Sequence, residues 1–169
     1  MRLFIAIWPD EGFRAALLEM QQSMQRQGVR GNYTRPENLH LTLAFLGECG
    51  DPDPVMDAVE TVPFLPFSIR LEGVGAFDQL YWAGLAECQA LSLYVSRLRR
   101  TLAQGGIPFD RKSFRAHITL VRQTTLDRQG QLPQIEVPRR TMYVRRISLM
   151  RSDRGKTGMI YTEIGSVNA

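Results

Sequence analysis

The 169-residue chain contains two histidines, and both open the same four-residue pattern. His40-Leu41-Thr42-Leu43 returns as His117-Ile118-Thr119-Leu120. At average residue usage a given His is followed by aliphatic-Thr-Leu on the order of one time in a thousand, so the repeat is not accidental composition. Imidazole titrates unperturbed between about pH 5 and 8, which makes a facing pair suited to acid–base catalysis near neutrality. A hydroxyl beside each ring can donate to an oxygen that carries negative charge.

Each motif sits in an apolar run, Leu39 to Leu46 and Ala116 to Val121, that reads as a strand. With a side-chain period of two, His40 and Thr42 share one face and Leu41 and Leu43 the other. His117 and Thr119 stand in the same way over Ile118 and Leu120. The surroundings also repeat. An apolar strand ending at Trp8, a helix-like segment and Arg35-Pro36 precede His40; a strand carrying Trp82, a second helix-like segment and Pro108 precede His117. Trp8 and Trp82 stand at similar distances before their histidines. Two strand–helix–HxT units imply an internal duplication, and a pseudo-twofold pairing of the units would bring both HxT faces to one cleft.

The remaining elements follow from local signals. Asp10 caps a helix whose stripe is Phe13, Leu17, Met20 and Met24 and which Gly28 ends. Gly31 to Asn38 reads as a loop, and Pro54 heads a short helix over Val55–Val59. Phe67–Leu71 alternates as a half-buried strand, Gly73 and Gly75 loosen the chain, and Asp78-Gln79 turns it into Leu80–Ala86. Leu91, Val95, Leu98 and Leu102 mark a long helix, with Arg97, Arg99 and Arg100 on or near its exposed side and Gly105-Gly106 at its end. A basic loop (Arg111, Lys112, Arg115) leads into the second HxT strand, and residues 123–138 read as loop. Thr141–Met150 and Met159–Ile164 read as a terminal hairpin. The expected class is α+β: two lobes of antiparallel sheet flanking a central cleft. Residues 1–169 are expected to form one domain of two intertwined lobes, each with one HxT motif.

These residues resemble the paired HxTx motifs of the 2H phosphoesterase superfamily. Arg35-Pro36-Glu37-Asn38-Leu39 before the first motif, Phe45-Leu46-Gly47 after it and Arg122 closing the second are most similar to the RNA 2′,3′-cyclic phosphodiesterase (2′-5′ RNA ligase) branch. The resemblance implies His40 and His117 as catalytic residues, with Thr42, Thr119 and Arg122 holding the substrate phosphate. It makes His40 the acid to the departing 3′ oxygen and His117 the base on water, leaving a 2′-phosphate. Ligation in reverse would form a 2′-5′ bond. No metal or cofactor is implied. Strand parity puts Arg122 on the face opposite His117, so this assignment requires the strand to end or twist there. Trp82 and Arg115 are candidates for contact with a base or with the RNA backbone. Phe45 has the parity of Leu41 and Leu43 and reads as core.

Composition agrees with a soluble globular chain, 44% hydrophobic and 22% charged. A formal charge of +4, carried mostly by Arg, favours an anionic partner. The expected partner is RNA with a 2′,3′-cyclic phosphate end, tRNA fragments included, bound by a monomer. Leu3–Trp8 is too short for a signal h-region and no run approaches membrane-spanning length, so a cytoplasmic location without membrane attachment is expected. Cys49 and Cys88 lack paired ligand spacing and read as free thiols. Two other functions compete. A 2H phosphodiesterase for a small cyclic or 2′-5′ linked nucleotide would prefer mononucleotides over oligonucleotides. A silent RNA-binding module would show no turnover.

Overall fold

Strand β1 (Arg2–Ile7) is buried at every position after Arg2, because sheet neighbours flank it and side chains cover both faces. The computed structural model describes residues 1–124 and 132–169. The loop expected over 123–138 therefore falls partly outside the described residues. Helix α1 (Glu11–Arg26) starts where Asp10 accepts a 2.7 Å bond from the Phe13 N–H. It ends before Gly28, whose φ of 83° supplies the left-handed turn. Strand β2 (Asn32–Tyr33) and a 3₁₀ turn (Pro36–Asn38) occupy the stretch expected to be loop. Two residues are too few to show alternation, so β2 left no sequence signal.

Strand β3 (Leu41–Glu48) carries the first motif, helix α2 (Asp53–Thr61) follows, and β4 (Phe67–Phe77) and β5 (Leu80–Leu85) form a hairpin. Helix α3 (Gln89–Gln104) leads through the basic loop to β6 (His117–Arg122), which carries the second motif. The chain closes with β7 (Thr141–Val144), β8 (Arg146–Gly155) and β9 (Gly158–Asn168). Every strand pairing is antiparallel, in the order β7-β4-β5-β6-β3-β1-β8-β9, with β2 beside β6. The α+β class and the two-lobed duplicated arrangement are as expected.

The order β3-β1-β8-β9 outward on one side matches β6-β5-β4-β7 on the other, so the pseudo-twofold axis runs between β3 and β6. The helices cross it. Helix α1 follows β1 but packs on β6 and β7, and α3 follows β5 but packs on β3. One apolar cluster joins Phe13, Leu17, Met20 and Met24 of α1 to Leu91, Val95, Leu98 and Leu102 of α3. None of the described helices is long and apolar enough to cross a membrane.

Three expectations need correction. Thr141–Met150 is two strands that break at Arg145, β7 pairing with β4 in one lobe and β8 with β1 in the other. The sequence carries the sign of this break, since the buried positions step by two from Met142 to Val144, then by three to Ile147. The terminal hairpin is β8–β9 and runs to a tight turn between Gly155 and Gly158, because its outer half lies beyond the core and shows no apolar alternation. Gly73 and Gly75 do not end a strand: β4 continues to Phe77 through an irregularity between Leu71 and Val74.

Gly75 has a packing reason. A Cβ there would lie 2.1 Å from Cζ2 of Trp82, whose indole rests on the β4 backbone. Gly75→Ala should destabilise the protein by about 1–3 kcal/mol, the usual cost of overpacking. In a Trp82→Ala background most of that cost should vanish, since the two changes share one contact. Urea unfolding of the double-mutant cycle measures this, and additive losses would show that the indole is not the obstacle.

Candidate active site

Strands β3 and β6 pair at a single position, Leu41 opposite Ile118, the second residue of each motif. Both side chains point into the core, 1% and 2% exposed. In an antiparallel pair this register sets His40 beside Thr119 and Thr42 beside His117 on the opposite face. The strands then separate and β2 takes over the edge of β6. The separation opens a cleft of about 730 Å³ lined by His40, Thr42, His117, Thr119 and Arg122. The duplication thus brings together the four residues that the two motifs single out, with Arg122 beside them.

Arg122 reaches the cleft by a β-bulge. Thr119 pairs with Trp82 and Val121 with Tyr81, so Leu120 is the extra residue. Leu120 and Val121 are both buried, and the alternation restarts with Arg122 on the face of His117 and Thr119. The same bulge stands in β3. Thr42 pairs with Ala6 and Ala44 with Ile5, leaving Leu43 as the extra residue. Leu43 and Ala44 are buried, and Phe45 turns to the cleft, 53% exposed. The reading of Phe45 as core is therefore corrected. Strict period-two counting misplaces both residues for one reason, and each is the structural counterpart of the other.

A bulge leaves a carbonyl outside the regular ladder. Here each accepts from the helix of the opposite repeat, and Leu120 O accepts from the Thr34 N–H at 3.0 Å as well. Arg99 of α3 donates to Leu43 O through Nε at 3.2 Å and Nη2 at 3.0 Å, and through Nη1 to Lys112 O at 2.6 Å. Gln21 of α1 donates through Nε2 to Leu120 O at 3.0 Å and to Thr34 O at 2.8 Å. Arg99 is thus half-buried and committed, rather than on the exposed side of its helix. Gln21, 6% exposed, is a residue that sequence reasoning missed; a polar side chain four positions after Leu17 on the apolar stripe was its signal.

Each ring is held from behind. His40 Nδ1 lies 2.7 Å from Asn38 O, and His117 Nδ1 lies 2.6 Å from Arg115 O. A carbonyl only accepts, so Nδ1 carries hydrogen in both rings and Nε2 presents a lone pair to the cleft when the ring is neutral. Thr42 Oγ1, 2.9 Å from His40 Nε2, is then the donor of that bond. Aromatic rings pack around both: Phe4 and Trp8 at 5.0 Å and Tyr161 at 5.2 Å from His40, Phe77 at 5.1 Å and Trp82 at 5.8 Å from His117.

Burial in these aromatic surroundings lowers the His40 pKa to about 4, against the opposing Asn38 carbonyl and with help from the charges of Arg122 and His117. Burial also lowers His117, with Arg122 and Arg115 adding to the effect and the Arg115 carbonyl opposing it. Both imidazoles are therefore neutral in the empty cleft near pH 7. Among the described residues no carboxylate forms an ion pair with Arg122, so its charge faces the cleft unmatched.

Trp82 does not line the cleft; it packs against His117 and Phe77. Arg115 is exposed, its guanidinium 5.8 Å from the Phe77 and Trp82 ring centroids. Trp82 and Trp8 are not counterparts. Trp82 stands opposite Thr119 as Ala6 stands opposite Thr42, so each lobe backs its His with an indole from a different register position. Cys49 and Cys88 are free.

The family model described as LigT like Phosphoesterase matches residues 7–81 and again 84–161, one match for each repeat. The chain belongs to this family, the 2H phosphoesterases. An RNA 2′,3′-cyclic phosphodiesterase of Archaeoglobus fulgidus is 35% identical over 130 residues, covering 72% of each chain. One of Thermotoga maritima is 29% identical over 173 residues, covering 95% of this chain and 91% of its own. A solved Thermus thermophilus structure superposes with a TM-score of 0.78 at 29% identity, over 99% of this chain and 97% of that one. The apo structure of E. coli LigT shares the fold at a TM-score of 0.85 and 24% identity, over 99% and 96%.

Two tests follow from the geometry. Gln21→Leu takes the side-chain donor from the Thr34 carbonyl and leaves Leu120 O with the Thr34 N–H alone, and should cost about 1–2 kcal/mol in chemical denaturation; an unchanged midpoint would show that the bulge stands without it. The second concerns pH. The His40 pKa is lowered on folding, so the unfolded chain binds the proton first and stability falls as pH drops from about 6.5 to about 4. The His40 share should be on the order of 3 kcal/mol. It is measured as the loss in that window present in wild type and missing from His40→Gln; equal losses would place the effect on other groups.

Proposed function

We propose that this protein is a metal-independent RNA 2′,3′-cyclic phosphodiesterase that opens the terminal cyclic phosphate to a 2′-phosphate. The observation that carries the reading is the single cleft lined by both HxT faces and Arg122. The relatives described as RNA 2′,3′-cyclic phosphodiesterases support the substrate. The cyclic phosphate sits between the two Nε2 atoms, with Arg122 and the Thr42 and Thr119 hydroxyls on its non-bridging oxygens.

His117, with Nδ1–H fixed on the Arg115 carbonyl, takes a proton from water through Nε2 as the water oxygen bonds to phosphorus. His40 delivers a proton from Nε2 to the 3′ oxygen as the bond from that oxygen to phosphorus breaks. His40 must be cationic to do so, and the phosphate anion supplies the reason: bound beside the ring in a poorly solvated site, it favours imidazolium and offsets the burial that keeps His40 neutral in the empty cleft. The active form thus holds one proton shared between two coupled imidazoles. A ribose 5′-hydroxyl in place of water would give a 2′-5′ linkage by the same transfers.

Incubation with an RNA ending in a 2′,3′-cyclic phosphate should yield a 2′-phosphate end, at a rate that EDTA leaves intact and that is bell-shaped in pH. His40→Ala or His117→Ala should each lower turnover roughly 10²–10⁴-fold. The double variant should lose far less than the product of the two, because the pair acts as a unit. Near wild-type turnover in either folded single variant would end the two-histidine mechanism, and failure of the wild type on every cyclic-phosphate substrate would leave the silent RNA-binding reading.

A further inference from the structure

Asp110 is the one carboxylate among the described residues lining a cleft that also presents Arg2, Arg35 and Arg122. An acid opposes phosphate binding there, so its presence needs a reason. Its charge acts on the half-buried Arg99, but the two form no ion pair or hydrogen bond, since the Arg99 guanidinium nitrogens donate to the Leu43 and Lys112 carbonyls. Oδ1 of Asp110 accepts from the Lys112 N–H at 3.0 Å, which fixes the side chain, while Oδ2 has no hydrogen-bond partner among the described residues. The Asp110 N–H donates to Phe45 O at 2.8 Å, which ties the loop carrying the acid to β3 at Phe45, and both residues line the cleft.

Phe45 is the counterpart of Arg122 across the pseudo-twofold axis. The bulge that turns one repeat's side chain to the phosphate turns the other's flat apolar face to the same cleft, where Phe4 adds a ring 6.3 Å away. Where a cation meets the phosphate at +5 from one His, an aromatic ring at +5 from the other suits the base of the same nucleotide.

We propose that the nucleobase of the terminal nucleotide stacks on Phe45 and is read by the carboxylate of Asp110, which makes the enzyme prefer guanine and disfavour uracil. This rests on the cyclic-phosphate reading above. Stacking alone accepts any base. A carboxylate only accepts hydrogen bonds, and one of its oxygens can take a second while holding Lys112. Guanine offers it two adjacent donors, N1–H and the 2-amino group. Adenine and cytosine offer one amino group beside a ring acceptor. Uracil sets carbonyl oxygens on both sides of its single N–H, and these repel the acid.

The test is kcat/KM on the four nucleoside 2′,3′-cyclic phosphates, with calorimetric affinities for the four nucleoside 2′-phosphates. Guanosine should exceed uridine at least tenfold in both. Asp110→Asn keeps an oxygen for the Lys112 N–H and should narrow that ratio below about threefold. Phe45→Leu should weaken all four nucleotides on the order of 10- to 100-fold, and Phe45→Trp should restore them. Equal handling of guanosine and uridine, an unchanged ratio in Asp110→Asn, or wild-type affinity in Phe45→Leu would each overturn the proposal while hydrolysis persists. Were none of the four hydrolysed, the enzymatic reading would be decided by the RNA assay above, and the guanosine-to-uridine affinity ratio would still decide the base site.

Discussion

Two main-chain carbonyls, those of Leu43 and Leu120, organise this molecule. Each belongs to the residue that a bulge adds to an HxT strand, and a carbonyl displaced from its ladder and buried is costly until a donor reaches it. Side-chain donors come across the pseudo-twofold axis, Arg99 of α3 to Leu43 and Gln21 of α1 to Leu120, where the Thr34 N–H is a second donor. One interaction therefore does two things. It keeps the bulge that redirects Phe45 and Arg122, and it ties each repeat's helix to the other repeat's strand. Neither strand–helix–strand unit completes its own part of the cleft, which gives the crossing of the helices a physical cause at the site itself.

The electrostatics of the cleft follow from the same architecture. Strand faces that hold imidazoles at the centre of a sheet also surround them with the large rings of Phe4, Trp8, Tyr161, Phe77 and Trp82, and those rings remove water. Removal of water holds both imidazoles neutral, and the unmatched charge of Arg122 deepens the effect. The empty site is accordingly poor in protons and rich in positive potential. An anionic ligand reverses both conditions at once, since it screens Arg122 and favours imidazolium. Binding of an anion would therefore be coupled to proton uptake by the layout of the strands rather than by any one residue.

Much of this was legible in the residues. The doubled His-aliphatic-Thr-Leu pattern, the helical stripes, the Asp10 cap and the Asp78-Gln79 turn report local preferences that the fold respects. The bulges were not legible, because an extra residue in a strand changes no composition and leaves two apolar neighbours that read equally well as one face and the other. Phe45 was misplaced for that reason. Arg122 was assigned to the phosphate only by resemblance, against its apparent parity. The break at Arg145 was visible as a step of three in the apolar spacing, but a hairpin explained the ends of the segment well enough to hide it. Arg99 shows a different limit: an arginine flanking a helix stripe is ordinarily solvated, and only the tertiary structure supplies the carbonyls it binds.

A duplicated site raises the question of direction, since two identical half-sites would leave nothing to separate acid from base. The sequence keeps the His, the Thr and the bulge equal and varies what surrounds them. At the first turned-out position after the bulge the repeats carry Phe45 and Arg122, one apolar ring and one cation. Behind the histidines, Trp8 and Trp82 come from different register positions, and burial lowers His40 far enough to leave it neutral well into the acid range. A nucleotide is itself asymmetric, with its charge at one end and its flat base at the other. On the cyclic-phosphate reading proposed above, a cleft with a cation on one arm and an aromatic ring on the other accepts it in one orientation, and that orientation decides which ribose oxygen faces which ring. On that reading the fold supplies two proton-transfer groups of one kind, and the side chains at positions 45 and 122 tell them apart.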